Sequence, residues 1–437
     1  MRSINSQFAS FFAAAALVAA ASATPAAAAA QAGAGEEGSF LIKGGTIVNP
    51  GGQRLVNTSI LIRNNRIVEI GGAATATDAK VIDATGKFIY PGMIDPNTGI
   101  GLTEIGSVQT TNFRSEMGEF NPHMRALVGL NVESEILGVT RMNGVTSVVT
   151  SPSGGVISGQ AALINTAGWT WEDLAVTKSV GMMINLPGAG GAGGGRGGRG
   201  GGGGGGAVNT NLVADFERFM TEARDYDKGR AAGSAKLDLI YEAMRPVFNK
   251  TTPAIIPCGN EASIRAAIAF GEKWGIRVVL QGASDAWKIR KFIAEKNIPI
   301  ILGSIESAPG DDQPYDEIYA APGLLNEAGV KFAFSTGGGS NARHVVFHAA
   351  LAVAYGLAPD AALKALTIWP AEILGADKEI GSIAKGKLAN LFITSGDPMD
   401  LRTQVVDVFI KGRLLADDDR HSRLYAKYKS RPLPTVP

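Results

Sequence analysis

The chain has 437 residues, a hydrophobic content of 45%, a charged content of 19% and a formal net charge of +1. This length allows one large barrel of roughly 250 residues beside a smaller domain, with enough apolar sequence for a sizeable core. The near-neutral charge, without a basic run or an acidic tail, argues against a nucleic-acid partner.

The first 30 residues have the features of a secretory signal peptide. Arg2 is the one charged residue among residues 1–35, and the apolar run Phe8–Ala21 leads into the A-x-A site Ala21-Ser22-Ala23. A short, Ala-rich run is typical of a leader, and a membrane anchor is the less favoured alternative. We therefore expect an exported protein, periplasmic or extracellular, with no membrane span after leader removal.

Residues 39–87 predict β-structure, and residues 379–420 predict it again near the other end. Within residues 40–72, short runs rich in Ile, Val and Thr alternate with turn pairs such as Gly44-Gly45, which predicts an antiparallel meander. Asn64-Asn65 fits a hairpin turn because Asn tolerates positive φ.

The middle of the chain alternates between strands and helices. Phe88–Asp95 is predicted to be one buried strand, and Val145–Thr150 and Val180–Leu186 are further strand candidates. Later strands are predicted to start at residues 253, 277, 299 and 331, with a helix over Glu261–Trp274 between the first two. This spacing is typical of a βα repeat. A doubly wound open sheet is the alternative to a barrel, although the chain lacks a dinucleotide fingerprint.

Two further features lie within this α/β region. Residues 188–206 hold 15 Gly among 19 residues, which predicts a flexible loop at the barrel mouth. A neutral insertion is the favoured interpretation, ahead of a lid or a contact arm. The one cysteine, Cys258, excludes an internal disulfide and is expected to be a packed apolar thiol.

Residues 90–99, YPGMIDPNTG, resemble the first-strand signature of the amidohydrolase superfamily, PG-[LF]-ID-x-H-x-H. Residues 358–393 resemble a second framework block of that family. The resemblance implies an α/β fold, with a (β/α)8 TIM-like barrel over residues 88–378 and a small β-sandwich built from residues 39–87 and 379–420. The implied family activity is hydrolysis of C–N bonds other than ordinary peptide bonds, or of dipeptides, with zinc or another divalent metal.

The metal ligands of that family are replaced in this sequence. Asn97 and Gly99 occupy the positions of the two His in the signature. Gly259, Gln281 and Gly337 occupy the strand-end positions where the family has His, His and Asp. Because Gly carries no donor and amide oxygens are weak ligands, we expect no bound metal and no metal-hydroxide mechanism.

Other side chains could serve a ligand. Asp95 belongs to the family frame and is expected to orient the strand end by hydrogen bonds. His344 and His348 lie four residues apart and share one helix face, but without H-E-x-x-H a packing role is favoured over metal binding. Glu104 and His344 are the alternative candidates for contact with a ligand.

We therefore hold three hypotheses. The first is a degenerate family member that binds a small molecule or acts as a scaffold, in a homo-oligomer or in a hetero-oligomer with an active relative. The second is a working hydrolase with a non-standard or metal-free site around Asn97, Gln281 and His344. The third is a structural envelope protein whose Gly-rich loop contacts a partner.

Overall fold

The computed structural model describes residues 35–72, 74–188, 210–306 and 314–432. The predicted signal peptide, and the Gly-rich segment beyond Gly188, lie outside these ranges. Within them, no helix combines the length and the apolar character needed to cross a bilayer.

The described chain forms two sheets of eight strands each. The strands of the first sheet are β1 (Phe40–Val48), β2 (Arg54–Arg63), β3 (Arg66–Gly71), β4 (Lys80–Asp83), β5 (Phe88–Pro91), β14 (Leu391–Thr394), β15 (Val405–Ile410) and β16 (Arg413–Leu415). The strands of the second sheet are β6 (Met93–Thr98), β7 (Val145–Thr150), β8 (Ile157–Asn165), β9 (Ala175–Ile184), β10 (Ala254–Cys258), β11 (Val278–Gly282), β12 (Ile300–Leu302) and β13 (Phe332–Ala333).

Helices connect and surround the strands of the second sheet. The α-helices are α1 (Glu135–Arg141), α2 (Trp171–Leu174), α3 (Thr210–Ala231), α4 (Leu239–Glu242), α5 (Arg245–Phe248), α6 (Glu261–Trp274), α7 (Arg290–Glu295), α8 (Glu317–Glu327), α9 (Val345–Ala354), α10 (Pro359–Leu366), α11 (Ile368–Ile373) and α12 (Arg420–Lys429). Short 3-10 helices cover Gln109–Thr111, Ala126–Gly129, Ala286–Ile289 and Ala342–His344.

Both chain ends contribute to the first sheet. β1, β2 and β3 are antiparallel, and the predicted hairpin turn is confirmed, with φ of +49° at Asn64 and +69° at Asn65. The predicted meander over residues 40–72 is confirmed in β1, β2 and β3, whereas β4 and β5 run parallel to β1 and each pairs with a different half of it. β14 then pairs antiparallel with β5. The arrangement of this sheet as a sandwich stays a prediction.

The second sheet is a nearly closed, TIM-like α/β barrel with strands in the order β13-β12-β11-β10-β9-β8-β7-β6. All neighbouring strands are parallel except that β8 is antiparallel to both β7 and β9. The barrel therefore departs from eight parallel strands at its third strand. Side chains such as Ile94, Val279 and Ala333 pack into one apolar cluster with residues from α11 and the segment after it.

The predicted single strand Phe88–Asp95 is wrong, because the chain changes sheets at Gly92. β5 belongs to the first sheet and β6 to the barrel. A Cβ at Gly92 would stand 1.9 Å from the Thr146 Oγ1, so only Gly allows the backbone to pass this close to β7. The change of sheet cannot be seen in the sequence, because both strands are buried and their residues form one apolar run.

Candidate functional site

The carboxyl ends of the barrel strands bring the sequence-predicted positions to one rim. Asn97 lies in β6, the first barrel strand, and Gly99 follows it. Gly259 follows the fifth strand, β10, Gln281 lies in the sixth, β11, and Gly337 follows the eighth, β13. Because these strands are parallel, their carboxyl ends face the same mouth, which is where chemistry takes place in such barrels.

Asp95 joins the first and eighth strands at this rim. Its carboxylate is fully buried and accepts hydrogen bonds from the Thr336 Oγ1 at 2.6 Å, the Thr336 N at 3.2 Å and the Asn97 N at 3.1 Å. Burial raises the pKa of Asp95 to about 7, and these hydrogen bonds oppose the rise. Asp95 thus links β6 to the segment that follows β13.

Arg114 fills the space beside Gly99. A Cβ at Gly99 would stand 2.9 Å from the Arg114 Cδ and 3.1 Å from its Cζ. The Arg114 Nε donates to the Ser151 carbonyl at 3.2 Å, and the Ser153 N donates to the Arg114 carbonyl at 2.7 Å. A guanidinium therefore occupies the place into which a side chain at position 99 would project.

The loop that carries Arg114 is attached to the antiparallel strand of the barrel. The Val156 N and the Ile157 N both donate to the Glu119 carbonyl at 2.8 Å, and the Gln160 N donates to the Met124 carbonyl at 2.8 Å. No local motif marks Arg114, so its place at the rim could not be predicted from the sequence. Its position depends on β8, which the sequence pattern does not predict either.

The two strand-end glycines leave room at the rim. Gly337 has a φ of +70°, and its nearest neighbour would be the Asn97 Nδ2, 3.9 Å from an added Cβ. At Gly259 the nearest atom is the Ser284 Oγ at 3.7 Å. These are ordinary contact distances or longer, so no neighbouring side chain in the described ranges fills the space beside Gly337 or Gly259.

The donor set does not fit the family's divalent metal. Over the described ranges, no group of three or more His, Cys, Asp or Glu side chains could hold a metal ion. The Asp95 carboxylate is engaged with Thr336 and Asn97. Arg114 adds a positive charge next to Gly99, which repels a divalent cation at short range. The described residues of the rim therefore do not support a hydrolytic step that uses a bound metal.

Glu104 serves the loop rather than the rim. Its Oε1 accepts from the Asn131 Nδ2 at 3.1 Å and its Oε2 accepts from the Ser134 Oγ at 3.0 Å. Since Ser134 immediately precedes α1, Glu104 connects the loop after β6 to the start of that helix. Both carboxylate oxygens have structural partners, which leaves this candidate little freedom for a ligand.

His344 and His348 lie in a different group of contacts, beside Glu306. The His348 Nε2 is 3.6 Å from the Glu306 Oε2, and neither ring nitrogen of His348 has a hydrogen bond within the described chain. Burial lowers the pKa of His348 and of His344, and Glu306 opposes both shifts. The His344 ring packs 5.8 Å from the ring of Phe347.

Comparison with known proteins agrees with this fold. Residues 232–415 match the model of the Amidohydrolase family. A solved structure, an amidohydrolase from Thermotoga maritima, is similar with a TM-score of 0.73 and 25% identity, over 86% of this chain and 99% of that one. The family match and this structural similarity together support the amidohydrolase superfamily for this chain.

Curated relatives match in part. Dihydropyrimidinase 1 of Caenorhabditis elegans is 40% identical over 74 residues, which cover 17% of this chain and 15% of that protein. Amidohydrolase tasK of Hapsidospora irregularis is 22% identical over 390 residues, which cover 82% of this chain and 40% of that protein. The chain thus matches less than two thirds of the length of either relative.

Proposed function

We propose that this chain is a ligand-binding member of the amidohydrolase superfamily that does not hydrolyse by metal-bound hydroxide. The observation that carries the proposal is the guanidinium of Arg114 beside Gly99. The superfamily signature puts a metal ligand at that position. Here the guanidinium of Arg114 fills that space. The rim therefore differs from a metal site by an added positive charge as well as by the missing donor side chains.

The sequence supports two further parts of this proposal, which concern location and assembly. The chain is an exported protein, periplasmic or extracellular, that acts as a ligand-binding or scaffold subunit. It assembles with itself or with an active amidohydrolase relative. Cell fractionation with an antibody tests export, and light scattering of the purified chain, alone and mixed with the relative, tests assembly. A cytoplasmic location or a lone monomer in both samples would overturn these parts.

The activity test uses cyclic amides and dipeptides with added zinc. We expect no turnover that depends on zinc and stops with chelator. Turnover that is zinc-dependent in the native chain and lost in Asn97→Ala would overturn the proposal. Val56→Ala is the matched control, because Val56 lies in β2 of the other sheet and is 73% exposed.

A metal-free hydrolase is the second candidate, and one observation favours it. His348 is buried, neither of its ring nitrogens has a hydrogen bond within the described chain, and its Nε2 lies 3.6 Å from the Glu306 carboxylate, which is the composition of a general base and its orienting partner. If this pair is catalytic, turnover persists in chelator and falls at least about a hundredfold in Glu306→Gln. Unchanged turnover in that variant would rule the pair out.

A further inference from the structure

Arg114 carries a positive charge that has no counter-charge in the described part of the chain. Its Nε donates to the Ser151 carbonyl, while its two Nη atoms donate no hydrogen bond to the described residues. Burial lowers the pKa of the guanidinium, and no neighbouring carboxylate opposes that shift. The side chain is half-buried and is held at Gly99, at the barrel rim.

A half-buried cation without a partner is costly, because it loses water contacts and gains no opposite charge. Such a group is compensated when an anion binds. The two Nη atoms of a guanidinium form a planar fork that matches the two oxygens of a carboxylate. One guanidinium also carries one charge, which matches a carboxylate better than a doubly charged phosphate.

Asn97 places a second polar group within reach of the same ligand. It lies in β6 two residues before Gly99, at the same end of the strand where Arg114 is held. Its side-chain amide donates and accepts no hydrogen bond within the described chain, and its Nδ2 faces the space at Gly337. An amide can both donate to and accept from a ligand.

Gln281 is a third polar group on this rim. It follows Val279 by two residues in β11, and Val279 belongs to the apolar cluster inside the barrel. Because side chains two residues apart share a face of a strand, Gln281 faces the barrel interior at its carboxyl end. A few converging polar groups above an apolar interior are typical of small-molecule sites.

We propose that the barrel mouth binds a small carboxylic acid. The carboxylate pairs with the Nη atoms of Arg114, and an amide or hydroxyl group of the same molecule meets the Asn97 amide. The positive charge that the ligand's carboxylate meets is thus the guanidinium of Arg114 and not a metal ion. This inference rests on the proposed ligand-binding function, and it names the chemical class of the ligand.

The test compares two probes of the same size by calorimetric titration at low salt. N-acetylglycine has the carboxylate and an amide, whereas N-acetylglycinamide replaces the carboxylate with a neutral amide. We expect a dissociation constant on the order of millimolar for the acid, as is reasonable for so small a ligand, and binding at least about tenfold weaker for the amide. Inorganic phosphate is the third probe, and it should bind more weakly than the acid.

Three variants separate charge, geometry and folding. Arg114→Gln should weaken N-acetylglycine binding about tenfold or more, and Arg114→Lys should fall between it and the native chain, because Lys keeps the charge and loses the fork. Gly99→Ala pushes the guanidinium by a few tenths of an ångström and should weaken binding while thermal unfolding stays near native. Arg54→Gln, an exposed arginine at the start of β2, is the matched control and should bind like the native chain.

Equal binding of acid and amide, tighter binding of phosphate, no heat signal up to about 50 mM acid, or native affinity in Arg114→Gln would each overturn the carboxylate assignment. None of these results would be evidence that the rim binds a metal. Conversely, stoichiometric zinc binding would overturn the proposed function whatever the probes show. The two failures are therefore distinguishable.

Discussion

Asp95 makes the stability of the barrel depend on pH in a direction opposite to that of most carboxylates. In the folded state burial raises its pKa to about 7 from the ordinary 3.8. Below about pH 4 both states are protonated and the effect vanishes. Between pH 4 and pH 7 the folded state keeps a proton that the unfolded chain releases, so the free energy of unfolding falls as pH rises.

The size of this effect follows from the difference between the two pKa values. At 1.36 kcal/mol per pKa unit, the rise from 3.8 to about 7 corresponds to about 4 kcal/mol lost by pH 8. Asp95→Asn removes the ionisable carboxyl group and keeps the size and shape of the side chain. Its Nδ2 can donate to the Thr336 Oγ1, whose own proton can turn to the Gly338 carbonyl 3.2 Å away.

Denaturant unfolding at pH 5 and pH 8 checks this prediction. Asp95→Asn should lose much less stability between the two values than the native chain, and should be the more stable protein at pH 8 by up to about 4 kcal/mol. Asp78→Asn, at a surface ion pair with Arg63, is the control and should follow the native chain. A difference in stability between Asp95→Asn and the native chain that is the same at pH 5 and pH 8 would refute the reasoning.

Three further predictions follow from buried groups. Gly92→Ala should destabilise the fold by about 3 kcal/mol or more, because the added Cβ meets Thr146, whereas Gly72→Ala, with open space around it, should not; thermal unfolding measures both. Burial raises the pKa of Cys258 to about 12, so iodoacetamide should label the folded chain far more slowly than the denatured one. Burial lowers the pKa of His348, so the folded state binds fewer protons than the unfolded chain at this group, and its contribution to stability should fall as pH drops through about 6.5. The stability of His348→Leu relative to the native chain should therefore rise from pH 7 to pH 5, and an unchanged difference would contradict this.

The βα repeat could be predicted where local signals are strong. The helix Glu261–Trp274 begins after Asn260, whose side chain accepts from the Ser263 N, and ends at Gly275 with a φ of +65°. Its bounds and those of Val145–Thr150 are confirmed. In each case the residues that start or end the element are adjacent to it in sequence, so the pattern contains the information.

Two features could not be predicted, because they depend on distant contacts. β8, with the sequence ISGQAALIN, is buried on both faces and shows no alternation, and its antiparallel direction is fixed by its neighbours in the barrel. Arg114 reaches Gly99 because backbone hydrogen bonds to β8 hold its loop. The residues at the positions of the family's metal ligands can be read from the sequence, whereas the cation beside Gly99 is apparent only from the fold.

The most direct measurement of the central claim is the zinc content of the purified chain by mass spectrometry, after incubation with excess zinc and removal of unbound metal. Native chain and Asn97→Ala are measured side by side, each with and without chelator. We predict far less than one zinc per chain in all samples. One zinc per chain in the native protein, lost in Asn97→Ala, would contradict the account, because the rim would then hold the family's metal.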